Sequence, residues 1–243
     1  MWRSVLAGFL SLVILGASAG GAALAKDFKV AIDIGHSSSS PGAISARGVP
    51  EYNFNRNMAR LLLARLQRDP QFKGSFIIND TGEKMSLSSR PYLAESRGAD
   101  IFLSIHHDSV YPDQLSQWVY QGKLMDVCDE ISGYGVFFSE KNGQPTQSHR
   151  LADLIGGEMR RAGLVPDLNH AGRGNKILLD RNKGVYIFNN LVVLKSAEIP
   201  AALVECGVIK NSQEEVKLCD PRQQQRIVEA IYRGVAAYAG LER

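Results

Sequence analysis

The sequence predicts a single α/β domain whose mainly parallel, twisted sheet of about six strands carries helices on both faces. Two observations predict this class: apolar, β-branched runs alternate with segments of helical periodicity, and several runs are apolar at nearly every position. Continuous apolar character is typical of strands covered on both faces, and βα alternation is typical of parallel sheets. In such sheets, ligands bind at the carboxyl ends of the strands.

The predicted elements follow this order along the chain. The strands are expected at residues 28–34, 75–78, 101–105, 135–138, 185–194 and 201–204. Apolar residues spaced three or four apart predict a first helix around Phe54 and Met58 and a last helix around Ile227 and Ile231. Two further helices are expected over residues 86–97 and 148–161. Asp220 followed by Pro221 has the pattern of a helix start.

Residues 1–25 differ from the rest and predict a secretory signal peptide. Arg3 is followed by an apolar run over residues 5–15 and by small residues that end at Ala25. This run of about 11 residues is shorter than the roughly 20 that a bilayer span needs. We therefore expect cleavage before Lys26, no stable membrane span after processing, and an exported product in the periplasm or outside the cell.

Charge and cysteine content narrow the function classes. The chain has 28 basic and 25 acidic residues in 243, a formal charge of +3 without a basic stripe, which argues against nucleic acid as a partner. Its three cysteines, Cys128, Cys206 and Cys219, form no CxxC pair, so a thiolate zinc site is not expected. In an oxidising compartment they allow at most one disulfide, and the sequence does not decide which.

Polar side chains follow or end several of the apolar strands. His36 follows the first strand, and His106 ends the strand IFLSIH. Glu51 begins the first helix, and Glu205 follows the apolar run AALV. Burying an ionised carboxylate costs several kcal/mol unless it is paired or serves a metal, so Glu205 requires a specific role.

These residue types together point to metal-assisted hydrolysis. Two histidines and a carboxylate are a standard ligand set for catalytic zinc, and His36, Glu51 and His106 can supply it. Zinc lowers the pKa of bound water to about 7 and polarises a carbonyl. A second carboxylate is needed to move the proton from water to the leaving nitrogen, and Glu205 fits that role.

The motifs carrying these residues resemble the zinc-dependent N-acetylmuramoyl-L-alanine amidases, the cell-wall amidases of the type 3 group. The resemblance rests on VAIDIGH, PGAISARGVPEYNFNRNMARLL, SLSSRPYLAESRGADIFLSIHHDS and IPAALVECGVIKN in this order. It implies that residues 26–243 are a zinc amidase catalytic domain with zinc on His36, Glu51 and His106 and with Glu205 catalytic. It also implies peptidoglycan as the substrate, cut at the amide between N-acetylmuramic acid and L-alanine.

The chain departs from the family pattern at several positions. Ile34 stands where the family usually has proline, and Ser37 and Ser38 stand where it has a glycine pair, which affects loop geometry more than the ligands. His107 replaces a small residue. Strand alternation predicts that it faces away from His106, with substrate contact or proton donation as the alternative.

Three other polar residues, Arg90, His149 and His170, are expected to lie outside the catalytic machinery. Arg90 in SLSSRPYLAES is expected on a solvated helix face or in a surface ion pair, without a catalytic role. His149 and His170 are expected to be exposed, with His170 the nearer of the two to substrate.

Residues 109–133 form a poorly periodic insertion. In some relatives this place holds a helix that blocks the zinc site until a protein activator draws it away. Leu115, Trp118, Val119, Leu124 and Met125 predict a short amphipathic helix here. Two interpretations stay open: a regulatory lid on which an activator acts, or an ordinary surface excursion.

Two other functions compete with the amidase. Another zinc amidohydrolase, such as a peptidase cutting within stem peptides, would use the same ligand set. A non-catalytic wall-binding module on the same fold is the alternative from another class. The presence of all three ligands together with Glu205 argues against that module.

Overall fold

The structure is a computed structural model that describes residues 27–241 together with Met1. The predicted signal peptide therefore lies outside the described residues, apart from Met1. Among residues 27–241, no helix has the length and apolar character needed to cross a bilayer.

A mixed sheet forms the centre of the described chain. The strands are β1 (Val30–Ile34), β2 (Phe76–Ile77), β3 (Ile101–Asp108), β4 (Ser116–Tyr120), β5 (Lys123–Val127), β6 (Gly135–Phe138), β7 (Ile177–Asp180), β8 (Val185–Ile187) and β9 (Ala201–Val208). Seven of them form one sheet in the order β2-β1-β3-β9-β6-β8-β7. The four strands from β2 to β9 are parallel neighbours, whereas β6 runs antiparallel to β9 and β7 antiparallel to β8. The predicted α/β class is confirmed, with seven strands instead of about six.

Helices cover both faces of this sheet. They are α1 (Glu51–Leu66), α2 (Ser89–Ser96), α3 (Pro145–Arg161), α4 (Val192–Lys195), α5 (Ser212–Cys219) and α6 (Pro221–Leu241). On one face, α1, α3 and α6 pack on side chains such as Ile32, Leu103 and Val204. On the other face, the smaller helices α2 and α4 pack on Phe102 and Leu203. The core therefore lies in two layers, and strand alternation assigns each residue to one of them.

The prediction for residues 185–194 was wrong in part. The strand β8 ends at Ile187, and Val192 begins the short helix α4. An uninterrupted apolar run does not by itself distinguish a strand from a buried helical turn. The strand β7 was not predicted. It lies at the edge of the sheet, so its residues alternate between exposed and half-buried, and none is fully buried.

The predicted amphipathic helix in the insertion was also wrong. The segment forms a β-hairpin in which β4 pairs antiparallel with β5 and Trp118 faces Met125. Gln121 and Gly122, which join the strands, both have positive φ, at 49° and 75°. Two such residues in succession form the tight turn whose twist suits a two-residue hairpin, so the turn opposes a helix here.

All three cysteines are free thiols, and Cys128 and Cys206 are buried.

We predict that Gly234→Ala destabilises the fold at the crossing of α3 and α6. A Cβ at Gly234 would lie 2.6 Å from the Cα of Ile155. Overpacking of this kind lowers the free energy of unfolding by about 1–3 kcal/mol. Urea denaturation would measure the change.

Gly157→Ala in α3 is the matched control, because no atom lies within 4 Å of its Cβ position. There the better helix propensity of alanine should raise stability by up to about 1 kcal/mol. Equal stabilisation by both substitutions would contradict the predicted crowding at Gly234.

Candidate metal centre

Three side chains from separate elements meet at the carboxyl edge of the sheet. His36 lies just beyond β1, His106 lies near the end of β3, and Glu51 is the first residue of α1. Since His106 alternates with Ser104 and Phe102, its side chain leaves the sheet on the face covered by α2 and α4. Glu51 reaches the same place from the amino end of a helix that packs on the opposite face.

The carboxylate of Glu51 contacts both imidazoles. Its Oε2 lies 2.9 Å from Nε2 of His36, and its Oε1 lies 3.0 Å from Nδ1 of His106. One ligand atom from each of the three residues lies within 4.8 Å of the others. The structure thus brings together the three residues that the sequence analysis selected.

Two glycines leave the space that these side chains occupy. A Cβ at Gly35 would lie 2.4 Å from Nε2 of His106, and a Cβ at Gly42 would lie 2.5 Å from Oε2 of Glu51. Gly42 also has a φ of 79°, in the left-handed region. The loop before α1 therefore requires glycine at this point for two independent reasons.

Glu51 is buried but held in its ionised form. Burial opposes ionisation, but the hydrogen bonds and charges of His106 and His36 outweigh it and hold the pKa of Glu51 well below its ordinary value. Nδ2 of Asn55 donates to Oε1 at 3.0 Å, and the amide of Ala43 donates to Oε2 at 3.2 Å. Each oxygen is thereby fixed in orientation, which favours ligation by an anionic carboxylate.

Glu205 lies beside this cluster in the neighbouring strand. It is the register partner of His106 between β3 and β9, and it alternates with Leu203 onto the same face of the sheet. The sequence analysis placed Glu205 at the end of its strand, but Glu205 lies inside β9, which continues to Val208. Its Oε2 is buried without a hydrogen-bond partner among the described residues. Burial, followed by the charges of Asp108 and Glu51, raises the pKa of Glu205 well above its usual range.

The prediction that Arg90 lies on a solvated helix face was wrong. Arg90 is 4% exposed, and its Nη1 pairs with the fully buried carboxylate of Asp33 at 3.0 Å. The same guanidinium donates to the carbonyl oxygens of Ile34 and His36 at 3.0 and 2.9 Å. His36 has a φ of 69°, a conformation that non-glycine residues rarely adopt. Arg90 thus fixes the backbone that presents the first imidazole.

His107 faces away from His106, as strand alternation predicts. Its side chain is buried on the α1 side, where Nδ1 lies 2.8 Å from Oδ1 of Asn55. Burial lowers the pKa of His107 to about 3. The ring is therefore neutral and hydrogen-bonded to the residue that also orients Glu51, which gives His107 a structural place next to the site.

Residues 30–237 match the N-acetylmuramoyl-L-alanine amidase family (Amidase_3). The chain belongs to this family. A probable N-acetylmuramoyl-L-alanine amidase AmiB of Haemophilus influenzae is 30% identical over 230 residues, which are 86% of this chain and 51% of that protein. The chain thus spans about half the length of this relative.

Two solved structures share the fold of this amidase-family chain. An N-acetylmuramoyl-L-alanine amidase from Clostridium difficile 630 has a TM-score of 0.69 and 22% identity over 88% of this chain and 98% of its own. The CwlD amidase from Clostridioides difficile, solved in complex with the GerS lipoprotein, has a TM-score of 0.65 and 20% identity over 88% of this chain and 99% of its own. At these identities the likeness establishes the fold alone.

His170 was expected to be exposed, and that was wrong for this member of the amidase family. It is 4% exposed, its ring packs against Phe137 and Tyr186, and its Nε2 forms a hydrogen bond with Oδ2 of Asp108. The stretch LNHAGRGN lacks any period, so only its tertiary docking onto the sheet reveals this burial. His149 is exposed as predicted and stacks on Phe138 with a centroid separation of 4.9 Å.

A cavity of about 420 Å³ opens beside the two imidazoles. Its walls are mainly apolar and include Met85, Leu191 and Leu203 together with His36 and His106. The size lies within the range of small-ligand pockets. The cluster therefore faces a space in which a ligand can be held.

If His36, Glu51 and His106 bind a metal ion, we predict that Arg90→Lys weakens that binding while leaving all three side chains in place. A lysine keeps the charge but cannot donate at once to Asp33, Ile34 and His36, so the His36 backbone loses its support. Loss of such supporting contacts typically costs 10–100-fold in metal affinity. Competition with a chromophoric chelator would measure the affinity.

Arg97→Lys is the matched control at the end of the same helix, where Arg97 is exposed and stacks on Phe76. Its metal affinity should equal that of the unsubstituted protein. An unchanged affinity in a folded Arg90→Lys variant would show that Arg90 does not position His36.

Proposed function

We propose that this chain hydrolyses the amide bond between N-acetylmuramic acid and L-alanine in peptidoglycan and releases stem peptides. The observation that carries the proposal is the Glu51 carboxylate in contact with both His36 and His106, with Glu205 in register beside them. Membership of the amidase family supports the substrate and the bond cleaved.

The proposed cofactor is a zinc ion held by His36, Glu51 and His106. The set of two nitrogen donors and one carboxylate fits a catalytic zinc site, which leaves a fourth position open. Two observations support this fit. Gly35 and Gly42 leave room for the imidazole and carboxylate groups, and hydrogen bonds hold both carboxylate oxygens of Glu51 in place. When bound, zinc polarises the amide carbonyl and promotes ionisation of water.

Glu205 is the proposed proton carrier. Its Oε2 would accept a proton from the attacking water and deliver it to the nitrogen of L-alanine as the amide bond breaks. An oxygen that already has a hydrogen-bond donor would be less available for this transfer, and Oε2 of Glu205 has none among the described residues.

The proposed place of action is outside the cytoplasmic membrane, in the periplasm or beyond. The proposed substrate lies there, and residues 1–25 have the pattern of a signal peptide. Export and the proposed chemistry thus support each other.

A protein activator acting on the insertion is the proposed partner. The CwlD amidase was solved in complex with a lipoprotein, GerS. In this chain, Trp118 of the hairpin donates to the carbonyl oxygen of Ala46 at 2.9 Å, within the loop that leads to Glu51. Val119 and Leu124, which pair across the hairpin, are 70% and 62% exposed. A partner that pulled on this exposed face would move the Glu51 loop.

Digestion of purified sacculi tests the proposed activity. We expect release of intact stem peptides with a free L-alanine amino terminus, because the bond proposed is the lactyl amide. Removal of metal with a chelator should abolish the release, and added zinc should restore it. Peptides cut internally would instead indicate a stem-peptide peptidase, and sacculi that are bound but not cut would indicate a wall-binding module.

Glu205→Gln should retain bound zinc but lose turnover by about 100-fold or more, because the amide cannot carry the proton. The control Glu198→Gln changes an exposed carboxylate and should keep full turnover. Full turnover by Glu205→Gln would contradict the proposed role of Glu205.

Trp118→Ala tests whether the hairpin restrains the site. It removes the bond to Ala46 and a cation–π contact with Arg47, whose guanidinium carbon lies 5.2 Å from the indole centre. If the hairpin inhibits, loss of about 1 kcal/mol of contact should raise the rate on sacculi roughly fivefold without an activator. Val119→Ala, which alters only the exposed face, should leave the rate unchanged. A lower rate in Trp118→Ala would mean that the hairpin supports the site.

A further inference from the structure

A second cluster of ligand-type side chains lies next to the candidate metal centre. It consists of Asp108, Asp167 and His170, whose ligand atoms lie within 4.8 Å of one another. Asp108 is the last residue of β3, two residues beyond His106, and the other two residues lie in the loop that follows α3. The proposed hydrolysis uses none of the three.

The charges in this cluster do not balance among the described side chains. Nδ1 of His170 lies 3.1 Å from Nζ of Lys176 and 3.3 Å from the hydroxyl of Tyr111, so it accepts a hydrogen bond from the ammonium. The single ring proton is then on Nε2, which donates to Asp108. The imidazole is neutral, and two carboxylates share one ammonium.

Asp167 points an unpartnered oxygen into the cluster. The residue is 3% exposed, and its Oδ2 lies 3.8 Å from Nε2 of His170 and has no hydrogen-bond partner within the described part of the chain. Its other oxygen accepts from the amide of Asn169 at 2.8 Å, and its carbonyl accepts from the hydroxyl of Tyr186 at 2.7 Å. The backbone carbonyl and Oδ1 of Asp167 are thus held by hydrogen bonds, while the buried Oδ2 is not. A buried carboxylate oxygen without a hydrogen bond is costly, so Oδ2 requires a partner.

We propose that Asp108, Asp167 and His170 form a second divalent-cation site beside the candidate metal centre. Two carboxylates and an imidazole suit Zn²⁺ or Mn²⁺. On binding, Nε2 of His170 would give up its proton and become a ligand, while Nδ1 would take up one proton, keep it, and donate a hydrogen bond to the hydroxyl oxygen of Tyr111, so the ring would stay neutral. An imidazole ligand commonly donates from its other nitrogen in this way.

Lys176 opposes the cation in this arrangement. Its ammonium lies on the far side of the imidazole, where a protonated Nδ1 would no longer accept from it. Repulsion between the ammonium and a divalent ion should weaken the site. Removal of the Asp167 carboxylate should therefore weaken cation binding at this site, whereas removal of the Lys176 ammonium should strengthen it.

The stoichiometry of bound metal tests the proposal independently of the proposed activity. Full-length protein is stripped with chelator, loaded with Zn²⁺ or Mn²⁺, desalted and measured by inductively coupled plasma mass spectrometry. We expect two ions per chain in the unsubstituted protein, one in Asp167→Asn, one in His36→Ala and none in the double variant. Circular dichroism and the ion retained at the other site show that each single variant is folded.

The other outcomes separate the two sites. A single ion that is lost in His36→Ala and kept in Asp167→Asn would overturn the second site and leave the proposed zinc site intact. A single ion with the reverse dependence would support the second site and overturn the first. Lys176→Met should tighten the second site by about tenfold or more, as measured in the His36→Ala background. Weaker binding in that variant would contradict the proposal.

Discussion

The carboxylate of Asp33 lies in the middle of the sheet with no exposure to solvent, and the candidate metal centre is built above it. Burial raises the pKa of Asp33, while the charge of Arg90 and the hydrogen bond from Ser104 lower it. Ser104 donates at 2.7 Å from β3, Nδ2 of Asn79 donates at 3.0 Å, and Arg90 donates at 3.0 Å from α2. Removing one partner from such a buried pair typically costs 3–5 kcal/mol. This ion pair therefore joins β1, β3 and α2 at one point.

The geometry of the first imidazole depends on that pair. A left-handed conformation at a non-glycine residue costs of order 1–3 kcal/mol and persists only where surrounding contacts impose it. Arg90 imposes it by donating to the carbonyl oxygen of His36, and Asn55 donates to that of Gly35 at 3.2 Å. His106 needs no such device, because the strand β3 directs it. The candidate centre thus combines a strand residue, a helix terminus and one constrained loop residue, which favours preorganisation over adjustment on binding.

Sequence reasoning found the residues that lie where regular elements end, and it missed those defined by distant partners. His36 follows an apolar strand and Glu51 begins a helix, so local periodicity and the family motifs both led to them. The burial of Arg90 depends on a carboxylate 57 positions away in the chain, and that of His170 on a carboxylate 62 positions away. No local pattern reports such pairings. The hairpin was missed for a different reason. The spacing of its apolar residues fits a short amphipathic helix as well as two strands, and only the turn at Gln121 distinguishes the two.

Overall charge and local charge have opposite signs in this molecule, and the local charge governs the site. The chain carries a formal charge of +3, yet Glu51, Asp108, Asp167 and Glu205 lie close enough that the other three each raise the pKa of Glu205. Lys176 opposes them there. Exposed charges are screened within about 8–10 Å at physiological salt, whereas buried carboxylates interact through a much less polar medium. Each of these carboxylates opposes the ionisation of its neighbours, and a bound cation would relieve that repulsion. This local charge favours the binding of a cation such as the proposed zinc ion.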